Sequence, residues 1–234
     1  MSPEPTLRVD LPDGAVRAIA LVLHGGRSQG TGRVRASQLA VLRMLPFARA
    51  LRRTGAADGL AVARLRFVQR GWNGAAQAPV ADARWALAEL ERRFPGVAVG
   101  LVGHSMGGRA ALHVADQPNV QAVVALAPWI EASDPVFPLA GRRVLIAHGN
   151  LDRMTSPAAS AAYARAAARV AESVTYVTVQ DDRHAMLRRA RVWYELTTGF
   201  VLGVLCARQP DGTAEAETTN VLTKALAGEP SLVV

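Results

Sequence analysis

A serine set between glycines, Gly103-His104-Ser105-Met106-Gly107, is the stretch of this 234-residue chain best suited to chemistry. A serine hydroxyl is a poor nucleophile at neutral pH and needs a base to take its proton as it attacks. A histidine fits that task, because its unperturbed pKa lies near the working pH, and a buried carboxylate can fix its tautomer. With 20 glycines in the chain, a Gly-x-Ser-x-Gly arises by chance about 0.07 times. The pentapeptide therefore takes its weight from its surroundings. Before it, Val97-Ala-Val-Gly-Leu-Val is an apolar, valine-rich run suited to a buried parallel strand. After it, Arg109-Ala-Ala-Leu-His-Val-Ala carries apolar residues at helical spacing, out to about Ala115. Strand, tight turn and helix place Ser105 at the tip. The helix start adds free N–H groups and a positive dipole end for a developing oxyanion.

The rest of the chain alternates strands and helices around this unit. Continuous or alternating apolar runs predict strands over 6–11, 18–23, 60–67, 120–127, 143–147 and 173–179. Helical periodicity predicts helices over 39–53, 79–93, 157–170 and 186–205. The expected fold is α/β, a mostly parallel central sheet with helices on both faces and a minimal cap. Residues 1–206 read as one domain. Residues 207–234, where Gln209-Pro210-Asp211-Gly212 breaks the pattern, read as a loosely held tail with one helical turn around 221–227.

In open parallel sheets the site lies beyond the carboxyl ends of the strands. The residues found there are His24-Gly25-Gly26, Arg70 to Gly74, Ser105, Trp129, Asp152, and Asp181-Asp182-Arg183-His184. Ser, Asp and His follow one another in the chain order of the α/β-hydrolases, and the elbow resembles theirs. His148-Gly-Asn-Leu-Asp152, with Pro157 downstream, is similar to the family's His-Gly-x-x-Asp segment, and Asp-Arg-His184-Ala-Met-Leu resembles its histidine loop. The resemblance spans roughly residues 18–205. It implies a Ser105–His184–Asp152 triad working through an acyl-enzyme, with the N–H groups of Met106 and Gly26 as oxyanion donors and Arg27 the rival to Gly26. It also implies a small lidless esterase, of dienelactone-hydrolase or carboxylesterase type, that needs no cofactor. The same triad serves thioesterases and perhydrolases, and a ligand-binding protein can retain the fold.

Other residues compete for these roles. Asp134 is the rival carboxylate. Asp181 and Asp182 read as solvated turn residues, and His24 and His148 as structural or wall residues that close strands. His104 and His113 lie too near the nucleophile to serve as its base. No histidine cluster has metal-ligand spacing, so no metal site is expected. Trp72, Trp129, Met154 and Met186 are candidate apolar walls, and Arg27 a candidate for an anionic substrate group. Residues 131–141, where relatives insert a helical cap, are too few for one, so an open site is expected.

Composition narrows the class. A formal charge of +8 invites nucleic acid, yet the base is scattered arginine with Lys224 the sole lysine. No dense block with interleaved aromatics appears, so a small acyl ester is the expected partner, not nucleic acid. No apolar run is long enough to span a membrane. The N-terminal stretch lacks an apolar export core, and the single cysteine, Cys206, allows no intrachain disulfide. Both fit a cytoplasmic enzyme.

Overall fold

The computed structural model describes residues 4–210 and 214–234. Strands β1 (Thr6–Asp10), β2 (Ala18–Leu23), β3 (Leu60–Arg66), β4 (Ala98–His104), β5 (Val120–Leu126), β6 (Arg143–Gly149), β7 (Ser173–Val179) and β8 (Ser231–Val233) form one sheet. Their order is β1-β3-β2-β4-β5-β6-β7-β8. β1 runs antiparallel to β3, and every other pairing is parallel. Period-two alternation sorts the side chains to two cores. Ile19, Leu21 and Leu23 of β2 belong to the core on one face, which also takes in residues of α3 (Ala78–Arg93), α4 (Met106–His113) and α5 (Pro157–Ala167). Ala18, Ala20 and Val22 belong to the core on the other face, which takes in residues of α2 (Leu45–Gly55), α6 (Ala190–Cys206) and α7 (Ala216–Leu226).

Three expectations change. The helix foreseen over 39–53 is broken at Met44 into α1 (Leu39–Arg43) and α2. Pro46, in the first turn of α2, has no N–H for a continuous ladder, and its ring excludes the carbonyl one turn back. The last long helix starts at Ala190 and not at Met186, whose φ is 54°. The tail expected to be loose is built into the fold. Val221, Leu222 and Ala225 of α7 and Leu232 of β8 are buried in the α2/α6-side core, and β8 pairs with β7. Leu222 and Leu226 lie over Gly199 and Gly203 of α6, where an added Cβ would fall 2.5 and 2.6 Å from their methyl groups. Residues 1–3 and 211–213 lie outside the described set. They include the start of the N-terminal stretch and the Asp211-Gly212 part of the expected break.

Candidate active site

Ser105 stands between β4 and α4 at φ 54°, ψ −119°. That backbone region is costly for a residue with a Cβ, on the order of 1–3 kcal/mol, and persists only where the surroundings enforce it. Here they do. The Ser105 N–H donates to Leu126 O at 3.0 Å, and its carbonyl accepts from Arg109 N at 3.1 Å and Trp129 N at 3.2 Å. The flanking glycines let β4 and α4 close this tightly. A Cβ on Gly103 would collide with the backbone of Gly107, and one on Gly107 would lie 2.5 Å from the carbonyl oxygens of Leu23 and His24. The hydroxyl of Ser105 has no hydrogen-bond partner among the described residues.

Asp152 follows β6 through a turn in which its own N–H donates to Gly149 O at 3.1 Å. Its Oδ1 accepts from Met154 N at 2.7 Å and Thr155 N at 3.1 Å. Its Oδ2 meets His184 Nδ1 at 2.8 Å, His148 Nε2 at 3.0 Å and the Thr155 hydroxyl at 2.8 Å. Burial alone would raise its pKa. The hydrogen bonds from His148, His184 and the Met154 amide outweigh that and hold the carboxyl well below the usual carboxylate range. The carboxylate is thus ionised, and as an acceptor it fixes the proton of His184 on Nδ1. The lone pair of Nε2 stays available, with no other partner among the described residues.

The His184 loop is fastened to both neighbours. Leu151 N donates to Asp182 O at 3.0 Å, and a Cβ on Gly149 would sit 2.5 Å from that carbonyl. His104, next to the serine, meets His184 O through Nε2 at 3.0 Å, and its ring lies 4.7 Å from the His184 ring. Burial, reinforced by the charge of His184, pushes the pKa of His104 down to about 3, so this ring is a neutral donor. The pentapeptide contained His104, but only the fold shows it clamping the histidine loop. Asp182, read as solvated, is buried to 1%. It accepts from Arg183 N at 2.7 Å, Arg189 N at 3.0 Å and Trp193 Nε1 at 2.9 Å, anchoring the loop to the start of α6.

The rival carboxylate is committed elsewhere. Asp134 Oδ1 meets Arg109 Nη2 at 2.7 Å and His113 Nε2 at 2.9 Å, and its Oδ2 accepts from Glu131 N at 2.9 Å. A second Ser-His-Asp array exists, with His148 Nδ1 2.9 Å from Ser160 Oγ. Ser160 and His148 are both 0% exposed, so no substrate reaches that hydroxyl, and the array orients Asp152 from behind. His24 is also structural. Its Nε2 accepts from Phe67 N at 3.2 Å, and burial pushes its pKa down to about 4.

At the turn after β2, Arg27 N donates to Arg70 O at 2.9 Å and is spent. The exposed Gly26 N–H and the first amide of α4, Met106, have no such partner among the described residues. Gly26 packs on the Met106 side chain so closely that a Cβ would fall 2.5 Å from the sulfur. Of the expected walls, Trp72 and Trp129 line a cavity of about 290 Å³ together with Arg109. The guanidinium of Arg109 stacks 4.1 Å from one ring and 4.5 Å from the other. Met154 is 79% exposed, and Arg27 is exposed on the surface. Met186 is no wall: it is 1% exposed in the α2/α6-side core, because its left-handed backbone turns the chain inward before α6. Residues 131–141 form a turn and a single 3-10 turn, Phe137–Leu139. Among the described residues no group of three or more His, Cys, Asp or Glu is placed to hold a metal ion, and no helix is long and apolar enough to cross a membrane.

The family model of the serine aminopeptidases, S33, matches residues 66–144, a span that includes Ser105 but neither Asp152 nor His184. A search of the curated proteins finds no match. Among solved structures, a dienelactone hydrolase from Anabaena variabilis is similar with a TM-score of 0.64 at 19% identity, over 87% of this chain and 94% of that one. Est1E from Butyrivibrio proteoclasticus is similar with a TM-score of 0.62 at 16% identity, over 85% and 93%. A serine hydrolase without lid from Xanthomonas campestris reaches 0.60 at 23% identity, over 82% and 86%.

Proposed function

Since the chain has the α/β-hydrolase fold, we propose that it is a serine hydrolase that cleaves carboxylic esters, with Ser105 as nucleophile, His184 as base and Asp152 as its orienting carboxylate. The observation that carries this reading is an imidazole whose Nδ1 is held 2.8 Å from an ionised carboxylate, in a loop that His104 ties to the strained turn of Ser105. In the reaction, Ser105 Oγ attacks the ester carbonyl carbon while His184 Nε2 takes its proton. The negative oxygen of the tetrahedral intermediate turns to the N–H groups of Gly26 and Met106. The carbon–oxygen bond to the alcohol breaks, and His184 returns the proton to the departing alkoxide. Water, deprotonated by the same nitrogen, then attacks the acyl-serine and releases the acid.

Turnover of short p-nitrophenyl esters, acyl thioesters of matched chain length and an aminoacyl p-nitroanilide sorts esterase from thioesterase and peptidase chemistry. The expected order has the oxygen esters first. Labelling by a fluorophosphonate, mapped by mass spectrometry, should fall on Ser105 with one label per chain. A label on another residue overturns the assignment, and neither label nor turnover would mean a ligand-binding protein on a hydrolase fold.

A further inference from the structure

On the far side of β2 from the nucleophile, a second cavity of about 300 Å³ opens between α1, the start of α2 and the sheet face of β1 and β3. Its walls include Val41, Leu42 and Leu45, and its rim carries Arg8, Arg64 and Arg66. The buried ring of His24 lies at its floor, uncharged because burial, with Arg66 nearby, pushes its pKa down to about 4.

The three guanidinium groups are poorly compensated. Arg8 and Arg64 stand directly opposite each other in the antiparallel register, an arrangement in which like charges destabilise the pair. Asp10 pairs with Arg64 at 3.3 Å, while Arg66 spends its Nη2 on the neutral hydroxyl of Thr6 at 2.9 Å. Arg8 has no ion-pair partner among the described residues. Arg64 Nε is buried without any hydrogen-bond partner, a cost normally relieved by an acceptor. The apolar side is also incomplete. No residue of α1 is buried, and Leu39 and Leu42 are 83% and 42% exposed.

We propose that this cavity binds an amphiphilic monoanion, an alkyl carboxylate of medium chain length, with its carboxylate on Arg8 and Arg64 and its chain along Val41, Leu42 and Leu45. A guanidinium fork matches a carboxylate in two parallel hydrogen bonds. The volume is at the small end for ligand sites, which suits a short chain and not a long one. A bare anion would leave the leucine wall wet, and a neutral alcohol would leave the arginines unpaired. None of these residues belongs to the triad or the oxyanion donors, so the site stands whether or not the chain hydrolyses esters.

Calorimetric titration of the full chain with octanoate, octan-1-ol and inorganic phosphate tests it. Octanoate should bind one to one with a Kd below about 1 mM. The alcohol and phosphate should each bind at least about tenfold more weakly. Arg8→Gln and Arg64→Gln should each weaken octanoate by about tenfold or more, and Arg8→Gln should leave ester turnover within about twofold. Arg8 is exposed and ion-pairs with nothing described, so Arg8→Gln alone decides the matter if Arg64→Gln fails to fold. Phosphate binding as tightly as octanoate, octanol doing so, or octanoate binding undiminished in Arg8→Gln would each overturn the proposal, as would no measurable binding.

Discussion

Asp152 and Asp134 are both buried, ionised carboxylates contacted by histidine, yet they serve different ends. Asp152 holds His184, the base in the proposed mechanism, so Asp152→Asn should keep the fold and favour the wrong imidazole tautomer. A loss of up to about 10⁴ in kcat is expected, the size known from the equivalent change in serine proteases. Asp134 neutralises Arg109, whose side chain is 4% exposed. Removing its charge leaves Arg109 with Glu131 alone, at 2.8 Å, and weakens charged hydrogen bonds to Arg109 and His113 at a cost of about 1–3 kcal/mol, so Asp134→Asn should lower Tm while kcat stays within about tenfold. Kinetics and thermal unfolding on both variants separate the two roles, and the reverse pattern would show the carboxylates misassigned. Ser105 itself carries strain for the sake of its position. Ser105→Gly should abolish turnover and raise stability by about 1 kcal/mol, because glycine accepts φ 54° freely. A variant less stable than the wild type would mean the elbow is not strained.

The elements were legible where a local pattern decides them. Alternating or continuous apolar runs marked seven of the eight strands, and the residues following β4, β6 and β7 supplied Ser105, Asp152 and His184 in order. What escaped depended on partners distant in the chain. Asp182 reads as a turn residue until Trp193, eleven positions on, brings its indole N–H to it. The short stripe Thr218, Val221, Leu222, Ala225 looks like a polar tail until the glycines of α6 receive it. The break at Met44 was in reach, since Pro46 signals a helix start, but the apolar spacing of 39–53 masked it. The elbow itself has the least tolerance. Gly103→Ala drives a Cβ into the Gly107 backbone and should cost about 3 kcal/mol or more with loss of turnover, read by denaturant unfolding. Leu222→Ala, far from the site, should cost about 2–5 kcal/mol and leave kcat unchanged.

For the whole molecule, buried histidines and depressed carboxylates act in the same direction on acidification. His24 and His104, lowered to about 4 and about 3, stay neutral in the fold while the unfolded chain protonates them from about pH 6.5 downward. The unfolded state then binds more protons, so stability falls with pH from there through pH 4 and 3. Asp152 and Asp134, held below their ordinary 3.8, stabilise fully above that value and lose their contribution as pH drops further. Tm should therefore fall continuously from pH 7 to 3, and a flat profile between pH 6 and 4 would contradict the burial of the two imidazoles. A last consequence lies in the short connection 131–141. Arg109 grips it through Glu131 and Asp134, and Tyr163 OH donates to Pro135 O at 2.7 Å, so this connection is pinned in place. With so short and pinned a connection in place of a cap, the acyl-enzyme proposed on Ser105 would have no closed interval in which an alcohol could be favoured over water. The partition of the acyl group between water and added methanol should follow their concentrations with little preference, and kcat should be indifferent to solvent viscosity because no door has to swing.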